Sequence, residues 1–222
     1  MLDEVEVTRQ TYDEIAEDYA RTLKDPYLGG SEAYHKAAID RFIGLLPPQR
    51  RRVLDLGCGF GHDLGSFLER GLDTVGVDLS QGMLALARRR FPGAKLHHMD
   101  MRHLSFEPGS FGGVWAAHCL YHIPKRDIHK VIEGIKRVLV PEGAFFCCLK
   151  LGEGEGIDSH VQALSYPGKP RFYALYTEAE AKEMLKDFDI MEWDAKAEVY
   201  YGSGWVYIWA KKPTNRARFK GR

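Results

Sequence analysis

No stretch of the 222-residue sequence approaches the roughly 20 consecutive apolar residues that cross a bilayer, and the opening MLDEVEVTRQ is acidic without an apolar signal core. A membrane span and export are set aside on these grounds, and a cytoplasmic setting is expected. An excess of either charge is missing too: Lys plus Arg and Asp plus Glu number 31 each, so no overall field draws the chain to nucleic acid or an anionic membrane. The basic runs Arg50-Arg51-Arg52 and Lys211 to Arg222 are short and read as solvated ends. Cysteine is scarce. Cys58, Cys119, Cys147 and Cys148 form no C-x-x-C pair and no zinc-like spacing, which excludes a disulfide framework and fits a reducing compartment.

What is present is the material of one globular core. Apolar residues make up 45% and charged residues 28%, and the expectation is a single domain over 1–222. Residues 1–48 read as an N-terminal helical lid, because Tyr12, Ile15, Ala16 and Tyr19 recur at helical spacing and a second helical stretch from Ser31 to Leu46 is stopped by Pro47-Pro48. Residues 49–150 then alternate apolar strands (53–56, 74–78, 95–99, 111–117, 144–150) with helices (63–69, 81–90, 127–139), with Pro141-Glu142-Gly143 as a turn before the last strand. That rhythm predicts an α/β, doubly wound, seven-stranded and mostly parallel sheet with right-handed crossovers. Residues 151–176 carry the glycine and acidic content of a substrate loop or lid. Residues 177–212 give a helix and an antiparallel hairpin turning at Gly202-Ser203-Gly204, and 213–222 form a tail.

The sharpest local signal is VLDLGCGFG, an apolar strand running into Gly57-Cys58-Gly59-Phe60-Gly61 and then a helix. Glycines serve where a chain turns sharply or a ligand approaches the backbone, although a tight turn without ligand uses the same residues. The second strand ends at Asp78, where a carboxylate accepts from both hydroxyls of a ribose lying over the loop. The third ends at Asp100-Met101, which offers a carboxylate to an exocyclic amine and an apolar surface to a purine. Each aspartate alone would serve as a helix cap; in succession they favour a nucleoside. A dinucleotide fingerprint starting at Gly57 needs glycine at position 62, which is His62. Asp55 suits a cationic amino-acid group and would repel a pyrophosphate on the same loop.

These residues resemble the class I S-adenosylmethionine-dependent methyltransferases, whose first motif, acid-x-glycine-x-glycine-x-glycine, is matched by Asp55, Gly57, Gly59 and Gly61. The resemblance extends over about residues 10 to 150, through YDEIAEDY at 12–19, Asp78-Leu79, Asp100-Met101 and FGGVWAAHCLYHIP at 111–124; the final hairpin fits the family's antiparallel last strand. It implies S-adenosyl-L-methionine as cofactor and S-adenosyl-L-homocysteine as product. It further implies that Gly57, Cys58, Gly59 and Gly61 line the methionine part, that Asp78 binds the ribose, that Leu79 and Met83 pack on the adenine with Met101 nearby, that Asp100 takes the adenine amine, and that Ala117 and His118 lie beside the methyl group. Gly112-Gly113 departs from the family's usual FDGV and touches the strand edge more than the cofactor.

A sulfonium methyl group is already electrophilic, so transfer needs in-line approach and exclusion of water more than acid–base machinery. If a base is used, His118 and His122 are the candidates, with Tyr121 behind them; His122-Ile123-Pro124 also reads as a packing element. Their i, i+4 spacing suits a metal pair on a helix, but no third ligand is evident and no metal is expected. Tyr12 and Tyr19, with Arg21, are read as closing over the cofactor, Tyr19 as functional and Tyr12 equally as a docking residue. Lys150, Arg171, Tyr173 and Tyr176 flank the loop as candidates to recognise an anionic or aromatic acceptor, against the commoner fate of solvation. A small-molecule methyl acceptor is expected for a monomer or homodimer. The absence of an Asn-Pro-Pro-Tyr type motif after the fourth strand argues against nucleic-acid base amines. A non-catalytic nucleoside binder and a nicotinamide-dependent oxidoreductase are the competing readings.

Overall fold

The computed structural model describes residues 3–22, 31–158, 168–200 and 203–214. Seven strands form one sheet in the order β3-β2-β1-β4-β5-β9-β8: β1 (Arg52–Leu56), β2 (Asp73–Asp78), β3 (Lys95–His98), β4 (Phe111–Ala116), β5 (Leu139–Lys150), β8 (Asp189–Tyr200) and β9 (Ser203–Lys211). The first five run parallel to one another, and β9 runs antiparallel to both β5 and β8. The doubly wound sheet with an antiparallel last strand is therefore as expected. β4 is buried along its whole length, which is why it reads as a continuous apolar run instead of an alternating one.

Helices cover both faces: α3 (His62–Glu69), α4 (Gln81–Arg90) and α5 (Lys125–Val138) within the alternation, α6 (Glu178–Met184) after it, and α1 (Glu4–Thr22) and α2 (Glu32–Leu45) before it. Ser31 and Ser80 each accept a backbone N–H three residues on to start α2 and α4, and Thr177 with Glu180 forms a capping box on α6. On α5 the buried residues Ile128, Val131, Ile132, Ile135 and Val138 fall on one face and join the main core under β1, β4 and β5. On the opposite sheet face Ile39 and Phe42 of α2 pack with Trp115, Phe146 and Trp209.

Two expectations are corrected. β5 begins at Leu139 instead of 144, and Pro141-Glu142-Gly143 form a bulge within the strand, with Glu142 at φ 61 and the register to β4 shifting there. The stretch 151–176 is not one loop: β6 (Glu155–Asp158) pairs antiparallel with β7 (Arg171–Ala174) in a separate two-stranded ribbon. Positions 159–167 of the expected lid, 201–202 of the hairpin turn and 215–222 of the tail lie outside the described residues. The departure at Gly112 has a steric reason, since a Cβ there would lie 1.7 Å from the carbonyl oxygen of Arg50. No described helix is long and apolar enough to cross a membrane.

Candidate functional site

In this sheet the chain order reverses at β1, which lies between β2 and β4, and the crevice beyond the carboxyl ends of these strands is where open α/β sheets bind ligands. A cavity enclosing about 1080 Å³, its mouth included, opens at that point. Its wall includes all but one of the expected cofactor contacts: Asp55, Gly57, Cys58 and Gly59 from the glycine loop, Asp78, Leu79 and Met83 from β2 and α4, Asp100 and Met101 after β3, and Ala117 after β4. Gly61 is the exception. It caps the start of α3 at φ 84 and is not part of the wall.

The chemistry of the wall follows from where the strands end. Asp78 accepts the backbone N–H of Gly59 on Oδ2 and that of Ser80 on Oδ1, both at 2.8 Å, so its carboxylate is fixed over the loop with acceptor capacity left for two hydroxyls. Burial raises its pKa, opposed by those N–H groups. Asp55 is buried and its Oδ2 has no hydrogen-bond partner; burial first, then the charges of Asp63 and Asp78, hold its carboxyl well above the usual carboxylate range. A cationic group arriving beside it would restore the charged form. Gly59 sits at φ 50, and a Cβ there would meet no atom within 4 Å, so the loop leaves open room for a ligand against its backbone. An acidic, nucleoside-sized cleft of this kind fits the amino-acid and ribose parts of S-adenosylmethionine.

α1 closes the other side of the cavity through Val5, Thr8, Arg9, Tyr12 and Tyr19. It is held there by Asp13, whose Oδ1 accepts from Ser80 Oγ at 2.6 Å and from the N–H of Gly82 at 2.9 Å at the start of α4. Nothing local in YDEIAEDY at 12–19 marks Asp13 for this role, since its partners lie 67 and 69 residues away. Tyr19 packs edge-on to Tyr12 and Phe60. Arg21 is a correction: its side chain is 76% exposed and pairs with Asp18, away from the cavity.

Asp100 has a strong internal partner in Arg102. Its carboxylate accepts from the backbone N–H and the guanidinium of Arg102, at 2.7 to 3.2 Å, and Arg102 reaches on to Asp3, just before α1, at 2.7 Å. The Arg102 signal lay two residues away in the sequence, but its direction was set by the short helical turn that Asp100 caps.

His118 and His122 are not on one α-helix, because His118 adopts φ 52 and only Leu120–His122 forms a 3₁₀ turn. The helical metal pair is thereby ruled out for these two. His118 lines the cavity with its ring 4.7 Å from Trp205, and desolvation lowers its pKa to about 4. His122 is buried, which lowers its pKa to about 3. Its Nδ1–H donates to the carbonyl of Phe172 at 2.7 Å, which leaves Nε2 to accept from Tyr12 Oη at 3.0 Å.

A second group was not foreseen. His35 Nε2 and His62 Nδ1 each lie 2.8 Å from Asp63 Oδ1, and Trp115 Nε1 donates to Oδ2 at 2.6 Å. Burial raises the pKa of Asp63, but its hydrogen bonds to the two imidazoles outweigh this and hold the carboxyl well below the usual range. The three ligand-type atoms lie within 4.8 Å of one another, and the contacts present satisfy them as a hydrogen-bond network. Lys150, Arg171, Tyr173 and Tyr176, read as acceptor-recognition candidates against solvation, are all buried, and none is part of the cavity wall.

Residues 53–143, which carry the glycine loop and all three acidic strand ends, match the family model for a methyltransferase domain. Over these residues the chain resembles a methyltransferase domain. It is 28% identical over 181 residues to a demethylmenaquinone methyltransferase of Clavibacter sepedonicus, covering 79% of this chain and 66% of that protein. It is 40% identical over 87 residues to the dTDP-3-amino-3,4,6-trideoxy-alpha-D-glucopyranose N,N-dimethyltransferase of Streptomyces venezuelae, covering 38% and 37%. The chain thus spans two thirds or less of the length of these relatives. Its methyltransferase fold matches the Burkholderia thailandensis 1,6-didemethyltoxoflavin-N1-methyltransferase, solved with 1,6-didemethyltoxoflavin and S-adenosylhomocysteine bound. The TM-score is 0.67 at 21% identity, over 96% of this chain and 92% of that one.

Proposed function

We propose that this chain is an enzyme that transfers the methyl group of S-adenosylmethionine to a small-molecule acceptor. The observation that carries the reading is Asp78, pinned by Gly59 and Ser80 over a glycine loop whose open face Asp55 backs with a buried, unpartnered oxygen. Relatives named for a menaquinone precursor and for an amino sugar nucleotide support a small acceptor.

In this reading Asp78 takes the two ribose hydroxyls, Leu79, Met83 and Met101 bound the adenine, and Asp100, held by Arg102, faces its amine. Asp55, Gly57, Cys58 and Gly59 receive the amino-acid end, where Asp55 regains its charge against an ammonium. When bound, S-adenosylmethionine supplies an electrophilic methyl group on a sulfonium. The chain's own contribution is positioning: Ala117 and His118 at the exit of β4 bound the space where the methyl and acceptor meet, and Tyr12 and Tyr19 close it from α1 and exclude water. Orientation of this kind is worth roughly 7 to 11 kcal/mol in well-aligned cases.

The test is formation of S-adenosylhomocysteine by the purified chain incubated with S-adenosylmethionine and a panel of small carboxylates, phenols, amines and thiols. Product formed only with an acceptor present is expected. Cofactor binding without turnover on any acceptor would favour a non-catalytic binder.

A further inference from the structure

Two histidines from different helices converge on one carboxylate oxygen in the cavity wall. His35, buried within α2, places Nε2 2.8 Å from Asp63 Oδ1, and His62, the first residue of α3, places Nδ1 2.8 Å from the same atom. Their ring centres lie 5.0 Å apart. The other oxygen of Asp63 accepts from Trp115 Nε1 of β4 at 2.6 Å, which restrains the carboxylate. Among the described residues no other three His, Cys, Asp or Glu side chains bring their ligand atoms together in this way. His62 and Asp63 line the cavity while His35 stands behind them, and Ala117 and His118, two and three residues after Trp115, line it too.

We propose that His35, His62 and Asp63 form a site for one divalent first-row metal ion, with a coordination position open to the cavity for an oxygen of the methyl acceptor. The metal site stands by itself; only the acceptor's place on it rests on the methyltransferase reading above. Donors about 2.1 Å from one ion are about 3.0 to 3.4 Å apart. The two 2.8 Å contacts therefore open slightly, and the two nitrogens, which lie within 4.8 Å of each other, draw in to take the ion in place of the hydrogen bonds. No net proton leaves, because a neutral imidazole can carry its proton on the other ring nitrogen. Three features favour an ion over hydrogen bonds alone. Two imidazoles and a carboxylate are the donors that zinc or iron(II) takes with positions left open, and not the oxygen set of calcium or magnesium. The Trp115 contact is the outer-shell hydrogen bond that holds a ligating carboxylate in orientation. The wall's charge also suits a cation: its described lining holds Asp55, Asp63, Asp78 and Asp100 against Arg9, which is itself paired with Glu6 and Asp13. An ion here would fix an acceptor through a hydroxyl, carbonyl or carboxylate oxygen beside the exit of β4, at the methyl end of the cavity.

The experiment titrates the full chain, freed of metal with a chelator, with Zn²⁺ by calorimetry and with Co²⁺ by visible absorption. A single Zn²⁺ site with a dissociation constant on the order of micromolar or tighter is expected. His35→Ala, His62→Ala and Asp63→Asn should each weaken it at least about tenfold, whereas His129→Ala, at an exposed histidine of α5, should leave it unchanged. Circular dichroism and thermal melts report that each variant is folded, and His62, the most exposed of the three at 28%, is the substitution the fold tolerates best. With S-adenosylhomocysteine bound, acetohydroxamate, an oxygen chelator, should shift the Co²⁺ bands by taking the open position. Absence of a one-to-one Zn²⁺ site, or equal Zn²⁺ affinity in the unaltered chain and in folded His62→Ala, overturns the metal site; Co²⁺ bands that acetohydroxamate leaves unmoved overturn the acceptor's place on it. Both results leave the methyltransferase reading standing. Failure of the unaltered chain to bind S-adenosylhomocysteine would instead strike that reading, and with it the acceptor's place, while the Zn²⁺ titration still decides the metal site.

Discussion

Tyr12 of α1 donates its phenolic hydrogen to Nε2 of His122 at 3.0 Å, while the other ring nitrogen of His122 donates to the Phe172 carbonyl on β7. One neutral imidazole therefore ties together the helix over the cavity, the segment leaving β4, and the ribbon that carries Arg171. The pair is a latch on the site's architecture.

Tyr12→Phe removes one side of this latch while keeping the ring. A loss of about 0.5–1.5 kcal/mol of stability is expected, together with weaker cofactor binding, because α1 forms one wall of the cavity. Chemical denaturation of the Tyr12→Phe, His122→Asn and double variants checks it: the double variant should lose less than the sum of the single ones.

Stability should depend on pH through the two histidines. Their folded pKa values, about 4 for His118 and about 3 for His122, lie below the ordinary 6.5. Between those limits the unfolded chain binds more protons, so stability falls as pH drops from about 6.5 toward 4 and 3. Each histidine contributes a slope of at most about 1.4 kcal/mol per pH unit. Thermal melts from pH 8 to pH 4 on the unaltered chain and on His122→Asn test this, and the variant should show the shallower slope. For the same reason, turnover should show no inflection near 6.5 from either histidine.

Two glycines separate folding from binding. Gly59→Ala places a Cβ in open space at φ 50, so it should cost about 1–2 kcal/mol of backbone strain and weaken S-adenosylhomocysteine about tenfold or more by filling the ligand's room. Gly44 lies within α2 with nothing within 4 Å of a Cβ. Gly44→Ala should stabilise the fold by about 0.5–1 kcal/mol and leave cofactor binding unchanged. Melting curves and titrations on both variants give the two readouts.

What could be read from the sequence was whatever is written locally. The strand-glycine-helix passage at 53–61 and the acids ending each strand announce themselves, because a buried parallel strand is a short apolar run and its carboxyl end must stop being apolar. The helical face of α1 was legible for the same reason of period. The contacts that set the site's finer chemistry were not, since they join residues far apart in sequence: His122 to Tyr12, His35 to Asp63, Asp13 to Ser80. The burial of Lys150 and Arg171 could not be read locally because a charged residue normally ends in solvent, and it is the pairing of β5 with β9 and of β6 with β7 that encloses them. The ribbon itself was hidden in glycine-rich sequence that carries no strand period.

Calorimetric titration of the purified chain with S-adenosylmethionine, S-adenosylhomocysteine and NAD, with Asp78→Ala and Asp78→Asn alongside, tests the central claim most directly. The account predicts binding of both adenosyl ligands in the micromolar range or tighter, none of NAD, and about a hundredfold loss in Asp78→Ala, with Asp78→Asn between. Preference for NAD, or adenosyl binding that ignores both substitutions, would contradict it.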